Sequence, residues 1–158
     1  YGEIAGYHVN SDAVDFVLPD TQRQIQCINT AMAKANISPR DIDIVNLHAT
    51  GTVSGDENEC EAVRAVFGQS DNTYVNCTKG FIGHAMGAAG ALELAGNLPS
   101  FTDHKIHSCK YIENVDPKCN VKNLVNGDPV KKDVNFILSN SFGMLGINSV
   151  LIVKKYKQ

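Results

Sequence analysis

Several features that would assign the protein to a special class are missing from its 158 residues. No apolar run approaches the roughly 20 residues that a membrane-spanning helix needs. No basic start leads into a short apolar stretch of the kind that forms a secretory signal. The net charge is −3, whereas a general nucleic-acid-binding protein normally carries a basic stripe. We therefore expect neither a membrane nor a nucleic acid among its partners.

Cysteine occurs in an odd number and never as a C-x-x-C pair. The five cysteines are Cys27, Cys60, Cys77, Cys109 and Cys119. A disulfide framework is therefore not expected, and a reducing, cytoplasmic location fits best. His104 and His107 lie close to Cys109, but their spacing matches no zinc pattern, so we predict a polar loop and no metal site.

The remaining composition, 43% hydrophobic and 20% charged, is that of an ordinary globular domain with a hydrophobic core. The first residue is Tyr1 rather than Met, which predicts an excised domain or a fragment of a longer protein. A late group of lysines is interpreted as a solvated surface, with a docking patch for an acidic carrier protein as the alternative. The group consists of Lys131, Lys132, Lys154, Lys155 and Lys157.

Hydrophobic periodicity predicts strands that alternate with helices. Short, β-rich apolar segments predict strands at 2–15, 41–47, 73–77, 121–125, 134–138 and 149–153. Helices are predicted at 21–36, 56–67 and 80–98. The last of these is built on alanine and glycine, and we expect it to be a buried central helix that other backbones approach closely. The alternation is typical of a layered α/β sandwich.

Polar side chains gather where the predicted elements end. His48 follows a predicted strand, and sites in α/β sheets tend to form outside the carboxyl ends of strands. Thr50 and Thr52 come next, with a glycine between them that leaves the backbone room to bend. Asp56 and Glu59 are three residues apart, so they share one face of the following helix.

Lys79 and His84 form a second polar group. His84 lies near the start of the predicted small-residue helix, where the helix dipole disfavours a charged imidazolium. A neutral histidine can donate a hydrogen bond to an oxygen that gains negative charge, and a buried lysine beside carboxylates stays protonated. Each residue alone has a plainer structural explanation, so the functional interpretation depends on their joint order and spacing.

Three motifs resemble the ketosynthase family of the thiolase-like fold. They are NLHATGTVSGDENE at 46–59, TKGFIGHAMGAAGALE at 78–93 and SNSFGMLGIN at 139–148, the last predicted to be a glycine-containing turn. Their order, the histidine-to-acidic spacing and the lysine-to-histidine spacing match the family. The resemblance covers essentially the whole chain and implies that residues 1–158 form the C-terminal half of a two-half, layered α/β sandwich.

The resemblance implies a role for each polar group in a β-ketoacyl-acyl-carrier-protein synthase. Such an acyltransferase decarboxylates malonyl-carrier protein and joins the product to an acyl thioester. His48 and His84 would stabilise the enolate left by decarboxylation. Lys79 would order the site through the acidic pair Asp56 and Glu59.

Substrate contacts are also implied. Thr50 and Thr52 would bind the phosphopantetheine arm of the acyl carrier protein, and Phe142 and Gly143 would begin a gating loop. Apart from that prosthetic group on the carrier, no cofactor is expected. The complete protein is expected to be a homodimer or a ketosynthase heterodimer.

The sequence also departs from the family. The family's nucleophilic cysteine lies in the other half, within an alanine-cysteine-small-residue context that none of these five cysteines has. We therefore expect the chain to require an N-terminal half and to be inactive alone. Ala49 replaces a common glycine, and residues 143–146 read Gly-Met-Leu-Gly where the family usually has Gly-Phe-Gly-Gly. That loop is expected to alter gating and acyl-chain selection.

Two other functions are alternatives at this point. A non-catalytic partner resembling the chain-length factors would be expected to lose catalytic residues, whereas this chain keeps both histidines, the lysine and the acidic pair. A thiolase-type enzyme acting on coenzyme A fits the two-histidine pattern less well. Fatty acid, polyketide and polyene synthesis are all compatible with the sequence.

Overall fold

The computed structural model describes residues 1–157 and contains a five-stranded and a two-stranded sheet. The strands are β1 (Gly2–Ser11), β2 (Ile44–Asn46), β3 (Tyr74–Asn76), β4 (Lys105–Ile106), β5 (Val130–Lys131), β6 (Phe136–Gly143) and β7 (Ile147–Lys155). The large sheet has the order β1-β7-β6-β2-β3, and β4 pairs with β5.

Five α-helices and several short 3₁₀ turns connect the strands within residues 1–157. The helices are α1 (Thr21–Lys34), α2 (Val53–Phe67), α3 (Lys79–Ile82), α4 (Ala89–Asn97) and α5 (Ser100–Asp103). The 3₁₀ turns lie at Pro39–Asp41, Met86–Ala88, Pro117–Cys119 and Met144–Gly146. Within these 157 residues, no helix combines the length and the apolar character that crossing a bilayer requires.

The direction of the strands determines where the polar segments meet. β2 is parallel to both β3 and β6, whereas β7 runs antiparallel to β6 and β1. The carboxyl ends of β2, β3 and β6 therefore lie at one edge of the sheet. His48, Lys79 and Gly143 follow or end these three strands, so the chain brings them to the same edge.

Helices cover both faces of the large sheet. Consecutive residues of a strand point to opposite faces, and neighbours in β6 contact different helices. Asn140 donates a hydrogen bond to Glu59 of α2, whereas Ser141 lies against Gly90 of α4. α1 packs on β1 and β7 and beside α2. The predicted layered α/β sandwich is therefore confirmed.

Sequence and packing together explain α1. Asp20 caps its first turn, because its carboxylate accepts hydrogen bonds from the backbone N–H groups of Gln22 and Arg23 at 2.7 and 3.2 Å. Its buried face includes Ile28 and Ala31, which join the main hydrophobic core above the sheet. That burial fixes the helix against the sheet that positions the site.

The predicted helix over 80–98 is wrong as a continuous element. Gly83 and Met86 have φ values of +70° and +50°, so the chain leaves α3, passes through a loop and a 3₁₀ turn, and enters α4. Positive φ cannot continue a right-handed helix. The break places His84 in the loop rather than at the start of a long helix.

The expectation that this helix is buried is also wrong for the described chain. Glu93 and Asn97 face the protein and are buried, but Ala91, Leu92 and Ala95 are exposed. The side of α4 that carries these small residues is therefore open to solvent in the described chain. Close packing occurs at Gly90, where a Cβ would lie 3.0 Å from the side-chain hydroxyl of Ser141.

Two other predicted elements have different bounds. No strand forms at 121–125 within the described chain; the segment instead follows the edge of β3, where the Val125 N–H donates to the Val75 carbonyl at 2.8 Å. The predicted turn at 139–148 is also too long. Residues 139–143 continue β6, and the turn itself is the 3₁₀ segment Met144–Gly146.

The crossing of α1 over β1 depends on Gly6. A Cβ on this residue would lie 2.5 Å from the Ala31 carbonyl oxygen and 2.9 Å from the Ala35 Cβ. Gly6→Ala should therefore lower the free energy of unfolding by about 1–3 kcal/mol, since the helix must move away from the sheet. Urea denaturation measures the loss. Gly87→Ala, where a Cβ meets nothing within 4 Å, is the control; equal losses in both variants would contradict the packing.

Candidate active site

His48 is held at the end of β2 by a buried carboxylate. Glu59 of α2 accepts hydrogen bonds from the backbone N–H groups of His48 and Ala49, both at 2.8 Å. It also accepts from the Asn140 side chain at 3.0 Å. Burial raises the pKa of Glu59, and these three donors oppose that rise. Glu59 therefore fixes the backbone that carries His48 rather than contacting its ring.

Lys79 forms a buried ion pair with a residue outside the predicted site. Its ammonium pairs with the carboxylate of Glu93 on α4, and both side chains are nearly inaccessible to solvent. The same nitrogen lies 3.3 Å from Nδ1 of His48. Burial raises the pKa of Glu93, while the hydrogen bond and charge of Lys79 lower it.

Lys79 was predicted to order the site through the acidic pair Asp56 and Glu59, and this is wrong because its ammonium pairs with Glu93 instead. Glu59 is occupied by the backbone after β2, and Asp56 accepts a hydrogen bond from the Gly51 N–H at 3.2 Å. Both acidic residues belong to the first half of α2, on the side of the sheet opposite α4. Lys79 starts α3 and faces Glu93 instead, which makes Glu93 the missed residue of the site.

Glu93 could have been found by one signal. It is a single carboxylate within the otherwise small and apolar helix AGALELAGN. A charged residue in such a helix is seldom buried without a partner, and a lysine precedes it by 14 residues. The sequence alone did not show that the helix breaks between them, which is what folds Glu93 back onto Lys79.

The ring of His48 is neutral over most of the pH range. Burial lowers its pKa to about 4, helped by the positive charge of Lys79 and by His84. The Lys79 ammonium has only donors, so His48 Nδ1 must act as the acceptor in their contact. The one proton of the neutral ring is therefore on Nε2.

His84 lies in the loop after Gly83, beside His48. The two ring centroids are 5.5 Å apart and the rings are nearly perpendicular, so the two imidazoles converge. The Met86 N–H donates to His84 Nδ1 at 3.3 Å. This contact makes Nδ1 an acceptor, and a neutral His84 ring then carries its proton on Nε2. The predicted position near the start of a long helix is wrong, since only Ala85 separates His84 from the 3₁₀ turn Met86–Ala88 and α4 begins at Ala89.

The predicted threonine pair lies at the exposed edge of the site. The hydroxyl oxygens of Thr50 and Thr52 are 3.1 Å apart, and Gly51 between them has a φ of +79°. Asp56 closes this turn through the Gly51 N–H, and burial raises the pKa of its carboxyl group. The two hydroxyls are thus presented together at the start of α2.

The predicted gate begins beside His48. The ring of Phe142 is buried and its centroid is 6.4 Å from that of His48, while Gly143 is exposed at the end of β6. Leu145, in place of a flexible glycine, has a φ of +67°. The turn is tied to the loop after β1, because the Asp12 N–H donates to the Gly146 carbonyl at 2.7 Å.

The five thiols are not activated as nucleophiles. Burial raises the pKa of every one of them, to about 11 for Cys27 and for Cys109. A thiolate would therefore be scarce at neutral pH. All five are free. Among residues 1–157, no three His, Cys, Asp or Glu side chains form a group that could hold a metal ion.

A family model described as the C-terminal domain of β-ketoacyl synthases matches residues 1–111. The chain belongs to the β-ketoacyl synthase family. A curated relative, the chloroplastic 3-oxoacyl-[acyl-carrier-protein] synthase II of Arabidopsis thaliana, is 38% identical over 99% of this chain and 29% of the relative.

Solved ketosynthase structures share the fold over almost the entire chain. The ishigamide ketosynthase/chain length factor has a TM-score of 0.92 and 29% identity, covering 99% of this chain and 38% of that one. A structure of a type II polyketide acyl-carrier protein in complex with its ketosynthase has a TM-score of 0.91 and 26% sequence identity, and the match covers 99% of this chain and 39% of that one. The family member described here thus spans less than two fifths of these proteins, and the thiolase-like fold class is confirmed.

Ala49 supplies a test of local strain in the candidate site. It has a φ of +27°, which an L side chain rarely adopts. Ala49→Gly should raise the free energy of unfolding by about 1 kcal/mol, because glycine removes the strain. Ala91→Gly on the exposed side of α4 is the matched control and should lower it by about 1 kcal/mol. A loss of stability in both variants, measured by urea denaturation, would contradict this account.

The neutral ring of His48 supplies a test of pH dependence. Its pKa falls from 6.5 to about 4 on folding, so the unfolded chain binds a proton that the folded site does not. The stability that depends on a neutral His48 should be complete above pH 6.5 and should be lost as the pH falls toward 4. Urea denaturation of the wild type and of His48→Gln measures this difference. A difference that is independent of pH would contradict the shift.

Proposed function

We propose that the chain is the C-terminal half of a β-ketoacyl-acyl-carrier-protein synthase, an acyltransferase that decarboxylates malonyl-carrier protein and condenses the product with an acyl thioester. In this proposal His48 and His84 stabilise the enolate. The observation that supports it most strongly is the pair of adjacent imidazoles, each with Nδ1 accepting a hydrogen bond from the protein. Two Nε2–H donors are then available to one oxygen.

Lys79 has a positioning role in this proposal. Its ammonium donates to His48 Nδ1, which sets the tautomer, while Glu93 holds the ammonium in place. The same positive charge helps to keep the imidazole neutral. A neutral ring whose proton is fixed on Nε2 is ready to donate a hydrogen bond to the substrate oxygen in every reaction cycle.

The chemistry follows from where the charge develops. When the carbon–carbon bond to the carboxylate breaks, carbon dioxide leaves and the bonding electron pair moves into the enolate, placing negative charge on the thioester oxygen. Two fixed donors stabilise that oxyanion in a way that mobile water cannot. The enolate carbon then attacks an acyl group held on a cysteine, and the thiolate leaves.

The acyl-bearing cysteine is proposed to come from an N-terminal half. The raised pKa of each of the five thiols argues against any of them in this role. A second observation is the exposed side of α4, where Ala91, Leu92 and Ala95 are open to solvent. Apolar surface of this kind suits a second half packed against it. The chain alone is then inactive.

Thr50 and Thr52 are proposed to bind the phosphopantetheine arm of the acyl carrier protein. Their paired hydroxyls can accept from and donate to the amide groups of that arm. Phe142 and Gly143 are proposed to form the gate, since the Phe142 ring centroid lies 6.4 Å from that of His48. Similarity to a ketosynthase solved with its acyl-carrier protein supports the same partner here. No other cofactor is required.

The setting of the complete protein is part of the same proposal. Five free cysteines suit a reducing, cytoplasmic location, and a homodimer or ketosynthase heterodimer is the proposed assembly. Similarity to a chloroplastic synthase favours fatty acid synthesis, while similarity to a type II polyketide ketosynthase favours polyketide synthesis.

A second candidate is a non-catalytic partner subunit. Similarity to a structure that contains both a ketosynthase and a chain length factor favours it. Against it is the complete set of interacting groups, since His48, Lys79, Glu93 and His84 are all present and in contact. A subunit without catalysis would have no need to keep a buried lysine directed at an imidazole.

Decarboxylation separates the two candidates. In the complete protein, with the proposed nucleophilic cysteine changed to Gln, malonyl-carrier protein should release carbon dioxide. His48→Ala and His84→Ala should each lower the rate by about 10²–10³-fold, because each removes one oxyanion donor. His104→Ala is the control, since the His104 side chain is exposed and pairs with Asp133 at 3.2 Å. A well-folded protein that releases no carbon dioxide would favour the partner subunit.

A further inference from the structure

We propose that His107 is a positioning residue for Lys79, acting through the hydroxyl of Thr78. The inference deepens the proposed function and rests on it for its catalytic consequence, but its structural basis is independent. His107 is the first residue after β4, and it lies outside the three motifs that carry the family resemblance. Its ring nitrogen Nε2 is 3.2 Å from Thr78 Oγ1, and Thr78 directly precedes Lys79.

The Thr78 hydroxyl has three partners. Asn46 and Asn97 each direct an amide N–H₂ group at the oxygen, at 3.0 and 3.2 Å, and His107 is the third partner. Amide nitrogens can only donate, so the two asparagines occupy both lone pairs of the hydroxyl oxygen. The single hydroxyl proton must then go to His107 Nε2.

The three partners of the Thr78 hydroxyl determine the tautomer of His107. Nε2 accepts from Thr78, so the proton of the neutral ring is on Nδ1, where the Ser108 carbonyl accepts it at 3.1 Å. Burial lowers the pKa of His107, which favours the neutral ring that this arrangement needs. A ring protonated on Nε2 would present a third donor to an oxygen with no free lone pair.

The amide groups behind Thr78 have every donor in use. Asn46 also donates to Asn76 Oδ1 at 2.8 Å, and Asn97 also donates to the Glu93 carbonyl at 2.8 Å. Asn76 donates to Asn97 Oδ1 at 2.8 Å and to the His107 carbonyl at 3.3 Å. Among the described residues, Asn46 Oδ1 has no partner, but every donor of the network is used, so removal of one member leaves buried donors unpaired.

The network joins the three segments that carry the proposed catalytic groups. Asn46 ends β2 two residues before His48, Thr78 precedes Lys79, and Asn97 is one turn after Glu93 on α4. Loss of a hydrogen bond in the network therefore changes the distances among the His48 imidazole, the Lys79 ammonium and the Glu93 carboxylate together.

α3 needs this external support. It has only four residues, and the hydrogen bonds at its two ends run from the Phe81 N–H to the Thr78 carbonyl at 2.9 Å and from the Gly83 N–H to the Lys79 carbonyl at 2.8 Å. A single turn is not stable alone. His107 supports it twice, through the Thr78 hydroxyl and by packing edge-on against Phe81, with ring centroids 5.4 Å apart.

The first test is the His107 tautomer in the 158-residue chain, read from ¹⁵N chemical shifts of the imidazole ring at neutral pH. The proposal predicts a protonated Nδ1 and a bare Nε2. A proton on Nε2, in either the other neutral tautomer or the imidazolium, would overturn it. This measurement needs no activity, so it decides the proposal even if the chain is not part of a synthase.

The second test compares His107→Leu with His107→Gln. Leucine fills the space but accepts no hydrogen bond, whereas glutamine keeps a side-chain acceptor. In His107→Leu, the amide hydrogen exchange rates of Phe81 and Gly83 should rise at least about tenfold relative to the wild type, after correction for any change in the rates of α1. His107→Gln should restore most of the protection. His104→Leu, in the same loop region, is the control and should leave these amides unchanged.

The catalytic consequence is a fall in the rate constant without a fall in substrate affinity. In the complete protein, His107→Leu should lower kcat for malonyl decarboxylation about 10- to 100-fold with KM unchanged, and His107→Gln should recover it. Unchanged exchange at both α3 amides in His107→Leu, or equal behaviour of the Leu and Gln variants, would overturn the positioning role. If His107→Leu does not fold, the tautomer and the Gln variant decide the question.

Discussion

The contact of the Lys79 ammonium with Glu93 on one side and His48 Nδ1 on the other is the interaction on which the rest of the site depends. It is buried, so removing either charge would leave the other without compensation, which costs about 3–5 kcal/mol in comparable pairs. The same contact sets the tautomer of His48 and helps to lower its pKa. One ammonium therefore determines both the charge and the direction of the proposed oxyanion donor.

Two independent supports keep that contact in place from opposite faces of the sheet. On the α2 face, Glu59 holds the backbone of His48 through two N–H groups. On the α4 face, the amide network around Thr78 holds the segment that carries Lys79. Because β2 and β3 are parallel and adjacent, both supports act at the same edge of the sheet. The fold thus places rigid, hydrogen-bonded backbone on each side of one buried cation.

The sequence was most informative where local pattern decides the structure. A short apolar run followed by a histidine placed His48 at a strand end, and the order of the motifs placed Lys79 and His84 nearby. The partner of Lys79 was missed because it depends on the helix break at Gly83, a positive φ that composition does not reveal. The network of His107 was missed for a related reason, since its members come from distant segments and none forms a motif alone.

The central claim is that His48 is a neutral imidazole with its proton on Nε2, held there by Lys79. The most direct measurement is the ¹⁵N chemical-shift pattern of the His48 ring at neutral pH in the intact chain. The account predicts a pyridine-type Nδ1 and a pyrrole-type Nε2. A proton on Nδ1, or an imidazolium with both nitrogens protonated, would contradict it.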